Sequence, residues 1–358
     1  MALELVFDTS SQRFLLQEFT LPRVGPRDVR VRLELAAPKH GTESHAWTGT
    51  VRRGRRWDRA LRLFLDPVPA HPVAASPTVI QVGNMATGVI ETVGADVEGL
   101  RQGDHVYGYM PVRDMHQMPG AQVHLLPADL TPEAAVCIDP ARVAVVAVRD
   151  GQVRLGDWVA VFGLGAIGLL TVQAARASGA ERVIAIDPLT ERRMRALHMG
   201  ADAAFDPRDG DVALAIKEAT ARKGVDIAIE TSGADTALHE AIRCLRQCGT
   251  VVAVGWSGGD GRQLYLGEEF HVNRPHIVAS QASPYWGNPD RDHPRWDTQR
   301  VTDACVALFR RSALRPTGIL DPIVSLDEAP EILRIGHRDP AQVLKVGIRL
   351  GGCLVKEG

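Results

Sequence analysis

Residues 158–187 read WVAVFGLGAIGLLTVQAARASGAERVIAID, and this stretch decides the fold. Its first five residues are apolar, as expected of a buried strand. A glycine-spaced turn and a helix-like Ala- and Leu-rich run follow, and then a second apolar run ends in an acid. The order strand, glycine loop, helix, strand predicts a βαβ unit.

The same rhythm continues along the chain. Residues 225–233 (VDIAIETSG), 236–249 (TALHEAIRCLRQCG) and 250–255 (TVVAVG) again alternate strand-like and helix-like character. Such alternation predicts a doubly wound parallel sheet. Residues 1–130 instead hold short apolar runs such as LELVF and VRVRLEL, broken by Pro and Gly, which is typical of strands and turns. We therefore predict an α/β protein with a β-rich domain and a Rossmann domain.

The glycine loop GLGAIG predicts a dinucleotide site. Gly163 allows the tight turn, Gly165 lets the backbone approach a pyrophosphate, and Gly168 lets the helix pack against the strand. Ala166 and Ile167 open the helix, where free N–H groups and the positive dipole end favour phosphate.

Asp187 closes the second strand, at the position where a carboxylate accepts both ribose hydroxyls and repels a 2′-phosphate. This acid favours NAD over NADP. Arg192 and Arg193 follow one turn later and could offset the preference. NADP therefore stays open as an alternative cofactor.

Composition excludes several classes of function. The 358 residues carry a net charge of −2 and are 45% hydrophobic. We expect neither nucleic acid nor a membrane as partner, because there is no basic field and no long apolar span. The start resembles no signal peptide, and the five Cys follow no disulfide framework. The expected location is cytoplasmic.

Three short motifs carry a family resemblance: HGTESH at 40–45, GNM at 83–85 and IDP at 138–140. Together with the β-rich start and the late Rossmann half, they make the sequence resemble the medium-chain dehydrogenase/reductase (alcohol dehydrogenase-like) superfamily. The resemblance implies a GroES-like catalytic domain in residues 1–140, a Rossmann NAD(P)-binding domain in 141–282, and a return of the catalytic domain in 283–358. It also implies a homodimer, joined through the edge strand at 276–281.

The resemblance points to a zinc-free branch of that superfamily. Zinc enzymes of the family carry Cys-Gly-Thr-Asp-x-His where this sequence has HGTESH, and Gly-His-Glu where it has GNM. Asn84 and Met85 are poor replacements, so only His40 and Asp139 remain as plausible ligands. A catalytic zinc normally has three protein ligands. We expect no metal, while a residual ion on His40 and Asp139 stays open.

Without a metal, side chains must polarise the substrate oxygen and move its proton. By family position, Thr42 would contact the substrate oxygen and His45 would pass the proton to water. Lys39 or His40 would replace the positive charge of the metal. The alternatives are a surface Lys39, a packed His40, and a Glu43 that binds turn amides.

Four further residues occupy positions that the family uses around the cofactor. They end strand-like segments or lie in the return segment, and they are Thr231, Gly255, Ser280 and Lys345. Ligands of doubly wound sheets bind at the carboxyl ends of the strands.

The sequence thus predicts an enzyme: a zinc-independent NAD(P)-dependent oxidoreductase. Hydride would pass between the nicotinamide and a secondary alcohol or ketone, with a polyol, sugar or cyclic alcohol as small-molecule substrate. One alternative is an NADPH-dependent reductase of an activated C=C bond. The other is a non-catalytic dinucleotide-binding protein.

Overall fold

The computed structural model describes residues 2–39, 41, 43, 55–66, 78–257, 259–283 and 286–351. The chain divides into two compact units, Met1–Cys137 with Leu320–Gly358, and Ile138–Ile319. This division assigns residues 283–319 to the second unit, whereas the sequence analysis assigned them to the catalytic return. The physical reason is the helix Thr298–Arg310 in that segment, which packs against the helix Ile138–Asp150 of the second unit.

The first unit is built from β-sheets, as predicted. A three-stranded sheet has the order β2-β1-β6, and a larger sheet has the order β10-β8-β7-β3-β18-β17, with β9 also paired to β3. A separate hairpin pairs β4 with β5. The strands are β1 Ala2–Asp8, β2 Arg13–Phe19, β3 Asp28–Ala37, β4 Arg56–Asp58, β5 Leu63–Leu65, β6 Val79–Gln81, β7 Gly83–Val93, β8 His105–Pro111, β9 Met115–Pro119, β10 Val123–Leu125, β17 Ile323–Ser325 and β18 Gly347–Arg349.

Strand β3 shows why this unit folds around its sheet. Val29, Val31 and Leu33 alternate with partly exposed polar residues and are fully buried. Alternation of this kind places one face of a strand in the core. The late strand β18 pairs with the end of β3, so the return segment completes the same sheet.

The second unit holds a six-stranded sheet whose strands all run parallel, in the order β13-β12-β11-β14-β15-β16. The strands are β11 Trp158–Phe162, β12 Arg182–Ile186, β13 Ala203–Phe205, β14 Val225–Glu230, β15 Leu245–Ala253 and β16 His276–Ala279. The strand order reverses between β11 and β14, and ligands of such sheets bind at this switch point. The predicted fold class is confirmed.

Helices connect these strands and border the sheets. They are α1 Pro132–Val136, α2 Ile138–Asp150, α3 Ala166–Ala177, α4 Thr190–His198, α5 Val212–Ala219, α6 Asp235–Arg243, α7 Glu269–Asn273, α8 Thr298–Arg310 and α9 Ala329–Arg338. Among the described residues, no helix combines the length and the apolarity needed to span a bilayer.

Candidate functional site

The glycine loop lies between β11 and α3. A side chain would meet different surroundings at each of its three glycines. Gly163 has φ +82°, and a Cβ there would lie 2.9 Å from Ser232 Cβ. A Cβ on Gly168 would lie 1.8 Å from the carbonyl oxygen of Gly163. A Cβ on Gly165 would meet nothing within 4 Å. Two glycines therefore allow internal packing, and Gly165 leaves an open face for a ligand.

Helix α3 presents its amino end at this open face. Gly165 is the N-cap and has no side chain to accept a hydrogen bond. The amides of Ala166 and Ile167 lie in the first turn, where an α-helix supplies no internal acceptor. Both residues are half-buried. Together they form an anion site of the type that binds a pyrophosphate.

Asp187 follows β12 and is 3% exposed. Its Oδ2 accepts a hydrogen bond from Leu164 N at 2.7 Å, and its Oδ1 accepts one from Leu189 N at 2.8 Å. A carboxylate offers about four acceptor sites. The two amides therefore fix the carboxylate beside the glycine loop and leave acceptor capacity for ribose hydroxyls.

Two acids and three arginines surround this ribose end. Arg192 Nη1 lies 4.0 Å from Asp187 Oδ2. Burial lowers the pKa of Arg192, although Asp187 opposes the shift. Arg193 Nη1 and Arg208 Nη2 instead contact Asp206 Oδ2, at 2.9 and 2.7 Å. The two α4 arginines were predicted from the sequence, whereas Asp206 was not, although an acid directly after a strand is a visible signal.

The loop after β14 closes the other side of the glycine loop. Thr231 donates from Oγ1 to Gly163 O at 2.8 Å, so this predicted cofactor residue fixes the turn. Glu230 Oε1 accepts from Ser232 N at 2.6 Å and from Gly233 N at 3.0 Å. Burial raises the pKa of Glu230, and these hydrogen bonds oppose the rise. The sequence analysis missed Glu230 as the residue that shapes this loop.

Gly255 and Ser280 end the next two strands. A Cβ on Gly255 would lie 2.1 Å from Gly233 N, so this glycine lets two loops pack together. Ser280 is buried, its N donates to Ala253 O at 2.9 Å, and its hydroxyl bonds to Asp150. Both residues support the carboxyl edge of the sheet from within.

In the first unit, Lys345 carries a buried amine, and Glu43 within the predicted catalytic stretch carries a buried carboxyl. Lys345 is 4% exposed and donates from Nζ to Pro38 O at 2.7 Å. Glu43 Oε1 accepts from Gly83 N at 3.0 Å, while its buried Oε2 has no hydrogen-bond partner. Burial raises the pKa of Glu43 to about 7, and the charges of Lys345 and Lys39 oppose the rise.

Lys39 is half-buried, and its carbonyl accepts from Glu43 N at 2.9 Å. The predicted catalytic residues His40, Thr42 and His45 lie outside the described residues. The predicted contact of Lys345 with the pyrophosphate stays a prediction.

The described residues at this corner do not fit a catalytic zinc. Met85 is 2% exposed within β7, and its thioether is a weak ligand, as is the amide of Asn84. Glu43 is the one carboxylate that the described part of this stretch offers, and Gly83 already engages it. Asp139 is buried in the first turn of α2, in the second unit.

One group of potential metal ligands does lie among the described residues, on α6 and at the start of α7. It consists of His239, Glu268 and Glu269, whose ligand atoms lie within 4.8 Å of one another. Arg243 Nε already lies 3.3 Å from Glu269 Oε1. The group is therefore an ion-paired surface cluster, and it is unrelated to the motifs at 40–45 and 83–85.

Comparison with known proteins agrees with this geometry. A family model described as "Zinc-binding dehydrogenase" matches residues 166–284. The chain is 34% identical to D-guloside 3-dehydrogenase of Escherichia coli (strain K12) over 337 residues, which cover 90% of this chain and 92% of the relative.

Two solved structures share the fold. The 2R,3R-butanediol dehydrogenase of Bacillus subtilis matches with a TM-score of 0.77 and 21% identity, covering 98% of this chain and 100% of that one. A protein described as a "putative zinc-binding dehydrogenase" from Sinorhizobium meliloti 1021, bound to NADP, matches with a TM-score of 0.75 and 22% identity, covering 98% of this chain and 99% of that one. The likeness shows a shared fold, and the glycine loop and Asp187 of this chain have the geometry that suits a nicotinamide dinucleotide. The chain is an oxidoreductase and belongs to the medium-chain dehydrogenase/reductase superfamily.

Proposed function

We propose that the protein is a zinc-independent, NAD-preferring dehydrogenase that oxidises a secondary alcohol of a sugar or polyol, or reduces the matching ketone. The observation that carries the proposal is the Asp187 carboxylate, fixed by Leu164 N and Leu189 N beside the open face of Gly165. A carboxylate there accepts ribose hydroxyls and repels a 2′-phosphate.

The bound nicotinamide would supply the hydride acceptor. The residues of this chain would hold it and manage the proton: the α3 amino end binds the pyrophosphate, and Asp187 binds the ribose. Thr42 would accept the proton of the substrate hydroxyl while its own hydroxyl proton moves on toward His45, which would pass a proton to water. Lys39 or His40 would supply the positive charge that a metal supplies in zinc enzymes. The relay is proposed because Asn84 and Met85 offer no strong zinc ligand.

Two observations support a sugar or polyol as substrate. The relative with 34% identity is named for the 3-dehydrogenation of a D-guloside. Trp256, directly after Gly255 at the carboxyl edge of the sheet, is 41% exposed, and its ring centroid lies 5.6 Å from that of Trp286. Exposed aromatic rings suit the apolar faces of a sugar ring.

The first experiment measures binding and turnover. NADH and NADPH are titrated by nicotinamide fluorescence, and a panel of glycosides, polyols and enones is assayed with both cofactors. We expect tighter NADH binding and turnover of a sugar or polyol. Equal or tighter NADPH binding would contradict the NAD preference.

The second experiment tests the zinc claim. The purified protein is dialysed against a chelator, and metal content and turnover are measured before and after. We expect unchanged turnover with far less than one zinc per chain. Stoichiometric zinc together with loss of turnover on chelation would contradict the zinc-free relay.

A reductase of an activated C=C bond is the second candidate, and one observation favours it. Arg192, Arg193 and Arg208 lie at the ribose end, where free guanidinium groups would bind a 2′-phosphate. The enone arm of the panel with NADPH separates this candidate from the first. A non-catalytic dinucleotide-binding protein would bind NADH but turn over nothing in the panel.

The proposed assembly is a homodimer joined through β16. This strand lies at the end of the six-stranded sheet, and its Ile277 is 42% exposed. Val272 on the preceding α7 is 66% exposed. Unpaired edge strands favour pairing with a second copy. Sedimentation at micromolar concentration should give a dimer, and Ile277→Lys should shift it toward monomer.

A further inference from the structure

Asp206 lies beside Asp187 at the carboxyl edge of the sheet. Strand β13 pairs in parallel with β12, and Phe205 is in register with Ile186. Asp187 and Asp206 therefore directly follow two residues, Ile186 and Phe205, that lie opposite each other in neighbouring strands. Asp187 N also donates to Phe205 O at 3.3 Å. The two carboxylates follow neighbouring strands at the ribose end of the proposed cofactor site.

Asp206 binds two guanidinium groups at once. Arg208 donates from Nε to Oδ1 at 2.9 Å and from Nη2 to Oδ2 at 2.7 Å, which is a bidentate pair. Arg193 donates from Nη1 to Oδ2 at 2.9 Å and to Asp187 O at 2.7 Å. Arg208 Nη2 also contacts Pro188 O. Bidentate carboxylate pairs are among the stronger hydrogen bonds of proteins.

The Asp206 side chain is 7% exposed, whereas that of Arg208 is 64% exposed. The hydrogen bond from Arg208 holds the pKa of Asp206 well below its usual value, so the acid stays charged in the working range of pH. Burial of the acid fixes where the two arginines bind, while the open side of Arg208 faces water. Without the acid, Arg208 would be a mobile cation at the ribose end.

We infer that Asp206 is a specificity-determining residue, which holds Arg193 and Arg208 away from the adenosine ribose and so keeps the site selective for a dinucleotide without a 2′-phosphate. This inference rests on the proposed function. Asp187 repels the extra phosphate directly, and Asp206 acts by occupying the cations that would otherwise bind it. A 2′-phosphate is the ligand that free guanidinium groups favour at such a position.

The experiment compares the ratio of the dissociation constants for NADPH and NADH in wild type and Asp206→Asn. The variant keeps the shape of the acid but loses its charge. We expect the ratio to fall about tenfold, because a charge-assisted hydrogen bond is worth about one such factor. The double variant Asp206→Asn with Arg208→Ala should lose most of the relative NADPH affinity that Asp206→Asn gains. Added salt should weaken the gain, since it depends on exposed charge.

Asp226→Asn is the matched control. Asp226 also pairs with an arginine, Arg246, at 2.6 Å, and its Oδ2 also accepts a main-chain amide, from Trp158 N at 2.8 Å. It lies near the amino end of β14, whereas Asp206 follows the carboxyl end of its strand. Its loss should leave the ratio within about twofold of wild type, as expected for a distant independent site.

Arg208→Ala in the otherwise native chain gives a second test that does not depend on the folding of Asp206→Asn. Because Asp206 already occupies Arg208, this change should leave the ratio near that of wild type. A marked loss of NADPH affinity would show that Arg208 already serves a phosphate, and would overturn the inference.

The remaining outcomes distinguish a failure of the inference from a failure of the proposed function. An unchanged ratio in Asp206→Asn that still binds NADH would overturn the inference alone. Failure of the wild-type protein to bind either dinucleotide would overturn the proposed function, and the inference with it. Thermal unfolding and far-ultraviolet circular dichroism show whether each variant is folded.

Discussion

Each unit of the chain contains a buried carboxyl group beside its functional loop, and the two are held very differently. Asp187 in the second unit accepts a main-chain amide at each oxygen. Glu43 in the first unit accepts one from Gly83 at Oε1, while Oε2 is buried without a hydrogen-bond partner. Burial raises the pKa of Glu43 to about 7.

The difference separates a rigid site from a titratable one. Main-chain amides around Asp187 fix an anion that only has to accept hydrogen bonds, so its geometry follows from the βαβ unit. Glu43 lies in the stretch to which we assign proton transfer in the proposed function, and a buried carboxyl can hold or release a proton near neutral pH. The proposed cofactor site around Asp187 is therefore held by main-chain amides. The properties of the stretch around Glu43 depend instead on the environment of its side chains.

The largest expected effect is on the catalytic side. Replacing Thr42 or His45 with Ala should lower kcat by about a hundredfold to ten-thousandfold, the usual range for general acid–base groups. The double variant should cost little more than the worse single one, because the two act as one relay. Steady-state kinetics with the panel substrate measures kcat, and NADH titration measures binding.

NADH affinity is the internal control of that test, because the proposed function assigns the relay residues to the proton and not to cofactor binding. Wild-type kcat in the double variant would remove the relay from the mechanism and reduce the stretch at 40–45 to a structural turn. A loss of NADH affinity that matched the loss of kcat would instead indicate a collapsed site.

The second prediction compares the roles of Gly168 and Gly165 within the glycine loop. Gly168→Ala places a Cβ 1.8 Å from Gly163 O, so it should lower the free energy of unfolding by about 1–3 kcal/mol, as overpacking does. Gly165→Ala meets nothing within 4 Å and should leave stability unchanged while weakening NADH binding. Thermal unfolding without ligand and NADH titration measure the two effects. Equal destabilisation by both variants would disprove the assignment of Gly165 to the ligand.

The third prediction concerns the pH dependence of stability at Glu43. Its pKa rises from 4.5 to about 7 on folding, so its contribution to stability is fully present below pH 4.5 and is lost as the pH rises through 7. Glu43→Gln keeps an acceptor for Gly83 N but cannot ionise. Between pH 4.5 and 7 the free energy of unfolding of the variant should rise relative to that of wild type. The difference should approach about 3 kcal/mol at pH 7.

Denaturant unfolding at a series of pH values measures this difference, and Glu91→Gln is a suitable control. Glu91 pairs with Arg32 at 3.0 Å on a more exposed face of the same unit. A flat difference between Glu43→Gln and wild type from pH 4.5 to 7 would show that Glu43 is ionised throughout and that its environment solvates it.

The sequence was most informative where function depends on neighbours along the chain. The glycine spacing and Asp187 lie within one βαβ unit, so a local pattern could predict the loop, the helix and the acid together. Glu230 was not predicted although its partners Ser232 N and Gly233 N are local, because an acid at the end of a strand does not by itself show that it binds the following amides. Asp206 was not predicted because its second partner, Arg193, lies on a helix that precedes the strand β13. Lys345 is the extreme case, since its partner Pro38 is 307 residues away.

The catalytic corner was harder for a further reason. Motif comparison indicated which residues had been replaced, at His40, Asn84 and Met85, but a replaced ligand does not reveal what took over its charge. Burial raises the pKa of Glu43 and the charge of Lys345 opposes the rise, and neither effect is visible in the sequence alone. Long-range desolvation is a property of the folded chain.

The bond between Lys345 and Pro38 also has a consequence for how the protein is made. All strands of the second unit lie within residues 158–279, so this unit is complete in sequence while the ribosome is still translating the C-terminal segment. The first unit is completed later, because β18 and Lys345 follow the second unit in the sequence. Domains generally fold as units during synthesis. We therefore expect nascent chains stalled near residue 320 to bind dinucleotide before they can form the catalytic corner.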